Sequence, residues 1–145
     1  MTEVNTKTLY DSDFALWIDD TVQKLKARNT ENLDWENLIE EVESLVKSDK
    51  RKLRSLLSRL FEHLLKRKHT GMQECYRGWD IEIRNFTEQI TELLEESPSL
   101  KNYLKEIASK CYSKAIKSVS LDYDIYDFSP GLDFEKVVDE LIAEC

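Results

Sequence analysis

Glu36, Glu40, Glu41 and Glu43 crowd into the stretch WENLIEEVESL. Carboxylates gathered this tightly are raw material for a metal centre or a proton-transfer site. A dinuclear centre in a helical bundle draws a Glu from each of two helices and a Glu-x-x-His pair from each of two others. The histidines here are His63 and His69, and the residues three before them are Leu60 and Lys66. Lying six positions apart, they do not share a helix face as an i, i+4 pair would. On this pattern no metal and no cofactor is expected.

The same glutamates are interleaved with Trp35, Leu38, Ile39, Val42 and Leu45, which suits the flanks of a helix-helix seam. Glu43 has Lys47 four residues on, a spacing that supports a helix by about 0.2–0.5 kcal/mol. Glu41 lies nearer the apolar stripe and needs a partner from another helix.

His63 falls beside the stripe of Leu56, Leu60 and Leu64. Paired with a seam carboxylate such as Glu41 it would carry a proton, so His63 and Glu41 are the candidate catalytic residues of a small enzyme. The structural alternative is a half-buried histidine bonded to a carboxylate or a backbone carbonyl. Cys75 and His69 lack a third orienting group, so no activated nucleophile is indicated. Cys111 has core spacing and Cys145 is terminal; no CxxC occurs. Neither GxxxxGK[ST] nor GxGxxG is present, which excludes those routes to nucleotide binding.

The charge pattern carries more information. The net charge is -8, which disfavours a general affinity for nucleic acid or an anionic membrane. Against that background Lys50, Arg51, Lys52, Arg54, Arg59, Lys66, Arg67 and Lys68 form a basic segment relieved only by Glu62. The residues before it, and the tail from Leu121, are acidic. Internal complementarity is one explanation, with the acidic tail or the acidic first half folded over the basic segment. The other is a docking surface made of Lys50, Arg51, Arg54, Arg59, Lys66, Arg67 and Lys68.

The elements that must position these groups read as helices. At 145 residues, with a third of them charged and little Gly or Pro, the chain suits one all-helical domain, 1–145. Residues 1–9 read as a loose lead-in without a basic-then-apolar signal segment. Asp11 or Ser12 caps a first helix reaching about Arg28, with Phe14, Trp17, Ile18, Val22 and Leu25 at helical spacing. After a turn at 29–32, Asp34 caps the next helix, and Leu33 and Leu38 have the spacing of a hydrophobic staple.

Positions 35, 39, 42, 46, 49, 53, 56 and 60 keep one a/d phase, which allows a single helix over 35–68. The polar patch near Ser48 argues instead for two segments meeting there, and that is the reading taken. Gly71 suits a C-terminal turn, 70–78 a loop, and Trp79 to Glu96 a helix. Ser97 as cap and Pro98 at the first helical position start another helix, running to about Ser120. LDYDIYDFSPG reads as an ordered loop, 121–132, whose rings pack on the bundle. Asp133 caps a last short helix. No run approaches a membrane span.

LYDSDFALWIDD, LDWENLIEEVESL, LLSRLFEHLLKRKH, the helix start at Trp79 and EESPSLKNYL occur in this order. On that combination the chain resembles the bacterial domain of unknown function 29 family, common in cyanobacteria, over roughly Leu9 to Leu141. The resemblance implies a compact, all-helical, cytoplasmic bacterial protein and no established activity, so it supplies no catalytic residues. After HLLK this chain departs from the family's pattern with RKHTG.

The expected fold is therefore an all-α compact bundle of five or six helices around a long central helix that can kink near Ser48. Trp17, Trp35, Leu38, Val42, Leu56, Leu60, Trp79, Phe86, Ile90, Leu104 and Ile107 are assigned to its core. The expected function is a non-enzymatic protein-interaction or regulatory module acting on an unknown protein partner or by self-association. Nucleic-acid contact through Lys50–Lys68 stands second, and an enzyme using His63 third. No membrane is implied.

Overall fold

The computed structural model describes the backbone from Thr6 onward and side chains from Leu9 onward. Among the described residues there are six α-helices and no strand: α1 (Thr6–Ser12), α2 (Phe14–Lys26), α3 (Trp35–His69), α4 (Tyr76–Glu96), α5 (Leu100–Tyr123) and α6 (Phe134–Ala143). A 3-10 turn, Gln73–Cys75, leads into α4. The chain divides into two compact units, Met1–Lys47 and Ser48–Cys145.

In the first unit the sequence expectation is corrected at its start. Thr6–Ser12 is helical where a lead-in was expected, and residues 1–5 lie outside the described residues. The cap of α2 is neither Asp11 nor Ser12. It is Asp13, whose Oδ1 accepts from the Leu16 N–H at 3.0 Å. The helix stops before Arg28, which adopts φ 60, and the Asn29 N–H closes back on the Lys24 carbonyl at 2.9 Å. Asp34 is buried, and its carboxylate takes the Asn37 side-chain N–H at 2.7 Å and lies 3.5 Å from the Asn37 backbone N–H. That capping geometry starts α3.

The expected break near Ser48 does not occur: α3 is one helix. It contains neither Gly nor Pro between residues 35 and 69, so nothing in it opposes propagation, and the a/d phase runs through. The polar patch has a different meaning. It coincides with the boundary between the two compact units, which falls between Lys47 and Ser48.

The second unit carries a conventional core. Leu53, Leu56, Leu57, Leu60, Phe61 and Leu65 of α3 are buried with Ile90, Leu93 and Leu94 of α4, Leu104, Ala108 and Ala115 of α5, and Val138 and Leu141 of α6. α6 packs on both α4 and α5. Gly71 has φ 68, the left-handed conformation that ends a helix and that Gly adopts without strain. α4 begins at Tyr76, three residues before the expected start, because the 3-10 turn feeds it directly. Ser97 closes α4 instead of capping α5, and Pro98 sits in the tight turn where the Leu100 N–H meets the Ser97 carbonyl at 2.9 Å. α5 runs on to Tyr123 and ends at Asp124 with φ 53. The loop that follows packs through Phe128, whose ring lies edge-on to His69 at 5.2 Å, and through the Leu132 N–H, which donates to the Tyr112 hydroxyl at 3.3 Å, but the Tyr126 ring stays 78% exposed where packing was expected. Asp133 caps α6, accepting from the Lys136 N–H at 3.1 Å.

Of the core assignments, Trp17, Leu56, Leu60, Trp79, Ile90, Leu104 and Ile107 are buried, and Leu38 and Phe86 are half-buried. Trp35 and Val42 are not core residues: they are 49% and 57% exposed. Both have the same helical phase as buried Leu53 and Leu60, so periodicity alone did not separate them.

Candidate functional site

Three groupings contain the residues singled out from the sequence. The first surrounds His63, which α3 places in a buried position facing α4. Its Nδ1 lies 2.8 Å from the Arg59 carbonyl oxygen, and its Nε2 meets a Glu82 carboxylate oxygen. The carboxylate beside His63 is thus Glu82 and not Glu41. Both ring nitrogens are engaged, and the ring stands edge-on to Phe86 at 5.1 Å. The arrangement ties α3 to α4 by a polar contact at the edge of the core. It leaves neither nitrogen free to exchange a proton with a substrate. Glu82 is nineteen positions away in sequence, and no local pattern marks it.

Glu41 has the cross-helix partner that its position required. The Tyr10 hydroxyl of α1 donates to it at 2.5 Å. This bond, with nearby carboxylates including Glu40 and Asp11 opposing a second negative charge, pushes the phenol up to about 12. Neutral Tyr10 is the form the fold favours. Its contribution to stability is complete below the ordinary phenol value near 10 and is lost as pH rises towards 12. An absorbance titration at 295 nm is expected to show one tyrosine of the six ionising after the rest. Tyr10→Phe is expected to remove that last step and to flatten the helicity loss accompanying it. A wild-type titration in which all tyrosines ionise together would contradict the contact.

No ion pair joins Glu43 to Lys47; among the described residues the pairs are Lys24–Asp20, Arg67–Asp80 and His63–Glu82. No cluster of three or more potential metal ligands occurs among the described residues. His69 is partly buried, its Nε2 has no partner among the described residues, and burial followed by the charge of Lys68 lowers its pKa from the usual histidine value.

The basic segment does not form one strip. Helical geometry turns Arg51, Arg54 and Arg59 towards α5, where with Lys110 and Lys114 they line an open groove of about 630 Å³ floored by Ile107 and Cys111. Glu62 is the acid in that groove, and Arg54 also donates to the Tyr103 hydroxyl at 2.5 Å. Lys50 sits over the Tyr103 ring at 4.9 Å. At the other end of α3 the cations are taken up locally. Lys66 lies over Trp79 at 5.3 Å and Tyr123 at 5.9 Å. Arg67 stacks on Tyr76 at 3.7 Å and bonds Asp80 at 3.1 Å. Lys68 reaches the Gly131 carbonyl at 3.4 Å. The acidic tail therefore does not blanket the basic segment; one backbone carbonyl of the loop after α5 meets one lysine.

The third grouping is apolar, and the sequence assigns only Trp35 and Val42 of it to the core. On α3 the stripe Trp35, Ile39, Val42 and Val46 is exposed, with Leu45 beside it. On α2 Phe14, Ile18, Val22 and Leu25 are exposed, while Trp17 and Thr21 on the adjoining side are buried. All of these residues belong to the first unit.

The chain is thus an all-helical protein with one well-filled core in its second unit and an uncovered apolar seam on its first. It belongs to the family described as Domain of unknown function DUF29, which it matches over residues 9–142. No curated protein and no solved structure matches it.

Proposed function

We propose that this chain is a non-enzymatic protein-interaction module that docks through the apolar seam of its first unit, in the bacterial cytoplasm that the family resemblance implies. The observation that carries the proposal is the stripe Trp35, Ile39, Val42 and Val46, spaced as a helix-packing seam and left bare. Isolated apolar side chains on a surface need no explanation, but many on one small unit mark an interaction site. A seam of this spacing is read by another helix, whose side chains fill the gaps between successive turns.

Nucleic-acid contact is the weaker reading. Lys66, Arg67 and Lys68 are engaged with rings and neighbouring polar groups, and the remaining groove includes Glu62. An enzymatic role for His63 is weaker still, since Glu82 and the Arg59 carbonyl occupy both its nitrogens. No helix among the described residues is long and apolar enough to cross a membrane.

Replacing Val42 with a photo-crosslinking residue in the full chain, and irradiating in living cells, tests the proposal. Covalent protein adducts are expected at Val42 and not when the same residue replaces exposed Arg84 on α4. Equal yields at both positions, or none at Val42, would refute it.

A further inference from the structure

The occupant of the seam follows from its extent and its chemistry. Phe14, Ile18, Val22, Leu25, Trp35, Ile39, Val42, Leu45 and Val46 are between 37% and 66% exposed. At roughly 75 Å² apiece they present, summed over the two stripes, on the order of 700 Å² of apolar surface, close to the ~800 Å² each partner gives a standard interface. This lies on a unit that ends at Lys47. Within that unit the only large apolar side chains that are buried among the described residues are Trp17 and Leu33.

We infer that the occupant is a second copy of this chain, the two first units pairing seam to seam. The inference rests on the proposed interaction role and names its partner. Two bare stripes, one on α2 and one on α3, are what one half of a four-helix arrangement must offer. A second copy brings the same two stripes, so each stripe meets a stripe and no further chain is required. That self-complementarity is the requirement of a two-fold symmetric interface.

The charges beside the stripes agree. Glu40 and Glu43 flank the stripe on α3, and Lys26 and Arg28 lie at the end of α2. None of the four enters an ion pair with a described residue. Each copy therefore presents both signs beside its stripes, with Asp19 one heptad before Lys26 on α2, and a two-fold pairing that brings α2 of one against α3 of the other puts Lys26 and Arg28 in the same interface as Glu40 and Glu43. The stretch continuing the α3 stripe, from Leu53 onward, is already buried in the second unit's core, so the seam available to a partner ends with the first unit.

Sedimentation velocity of the full chain under reducing conditions, which silence exposed Cys145, reads this directly. The expected species at tens of micromolar has twice the 17.1 kDa chain mass. Ile39→Glu/Val42→Glu is expected to sediment as a monomer with unchanged helical circular dichroism, because both side chains are exposed within one copy. A wild-type chain that remains monomeric at 100 µM overturns the inference. So does a dimer that survives the double substitution. The underlying interaction role is judged separately. Monomeric protein that still crosslinks from Val42 to a different host protein rejects the second copy and keeps the docking seam. Monomeric protein without adducts rejects both.

Discussion

Phe61→Ala is expected to destabilise the chain by about 3–5 kcal/mol, the range for emptying a large aromatic site in a packed interior. Phe61 is fully buried, edge-on to Tyr112 at 5.6 Å and to Phe134 at 6.3 Å. It therefore joins α3 to α5 and α6 through one ring, and the cavity left by alanine is walled by three helices that cannot all move inward. Val42→Ala on the same helix is expected to change stability by no more than about 0.5 kcal/mol when measured at low chain concentration. Urea denaturation followed by circular dichroism measures both. Equal costs at the two positions would mean that the two halves of α3 are packed alike within one chain. That would remove the basis for the bare seam.

This contrast also shows what sequence alone carries. The a/d phase of α3 was legible because the period of a helix is a local property, written in residues three and four apart. Whether a stripe is covered is not local. Trp35 and Val42 have the same phase as Leu53 and Leu60, and only the helices supplied by the rest of the chain distinguish them. The polar patch around Ser48 is a real signal, but of a packing boundary and not of a helix end. α1 was missed because TKTLYDS is short and largely polar; its visible trace is Tyr10, whose ring packs on Phe14 and Trp17. The need of Glu41 for a cross-helix partner could be read from its place beside the stripe, while the identity of that partner, Tyr10, could not. Glu82 was invisible for the same reason: a contact across nineteen residues depends on how α3 and α4 pack, and nothing in the spacing of either helix specifies it. His63 showed its burial through its place in the stripe and nothing of its bonds.

The stability of the first unit rests on few side chains, and Trp17→Ala is expected to expose this. Trp17 is completely buried, stacked near Phe14 at 5.8 Å and edge-on to Tyr10 at 4.9 Å. In a large core the loss of such a ring costs about 3–5 kcal/mol. Here it removes one of the two large apolar side chains buried in the unit among the described residues, so local opening should follow without global unfolding. In hydrogen exchange, amides of α2 are expected to lose most of their protection while those of α4, α5 and α6 keep theirs. Exchange that accelerates equally throughout the chain would show instead that the two units unfold as one. Trp17→Phe is expected to be far milder. The indole Nε1 has no hydrogen-bond partner among the described residues, and an unmet buried donor costs about 1–3 kcal/mol. A phenyl ring at that position keeps the contact with Phe14 and Tyr10 and removes the stranded N–H, so part of the lost volume is offset by the donor that no longer needs a partner.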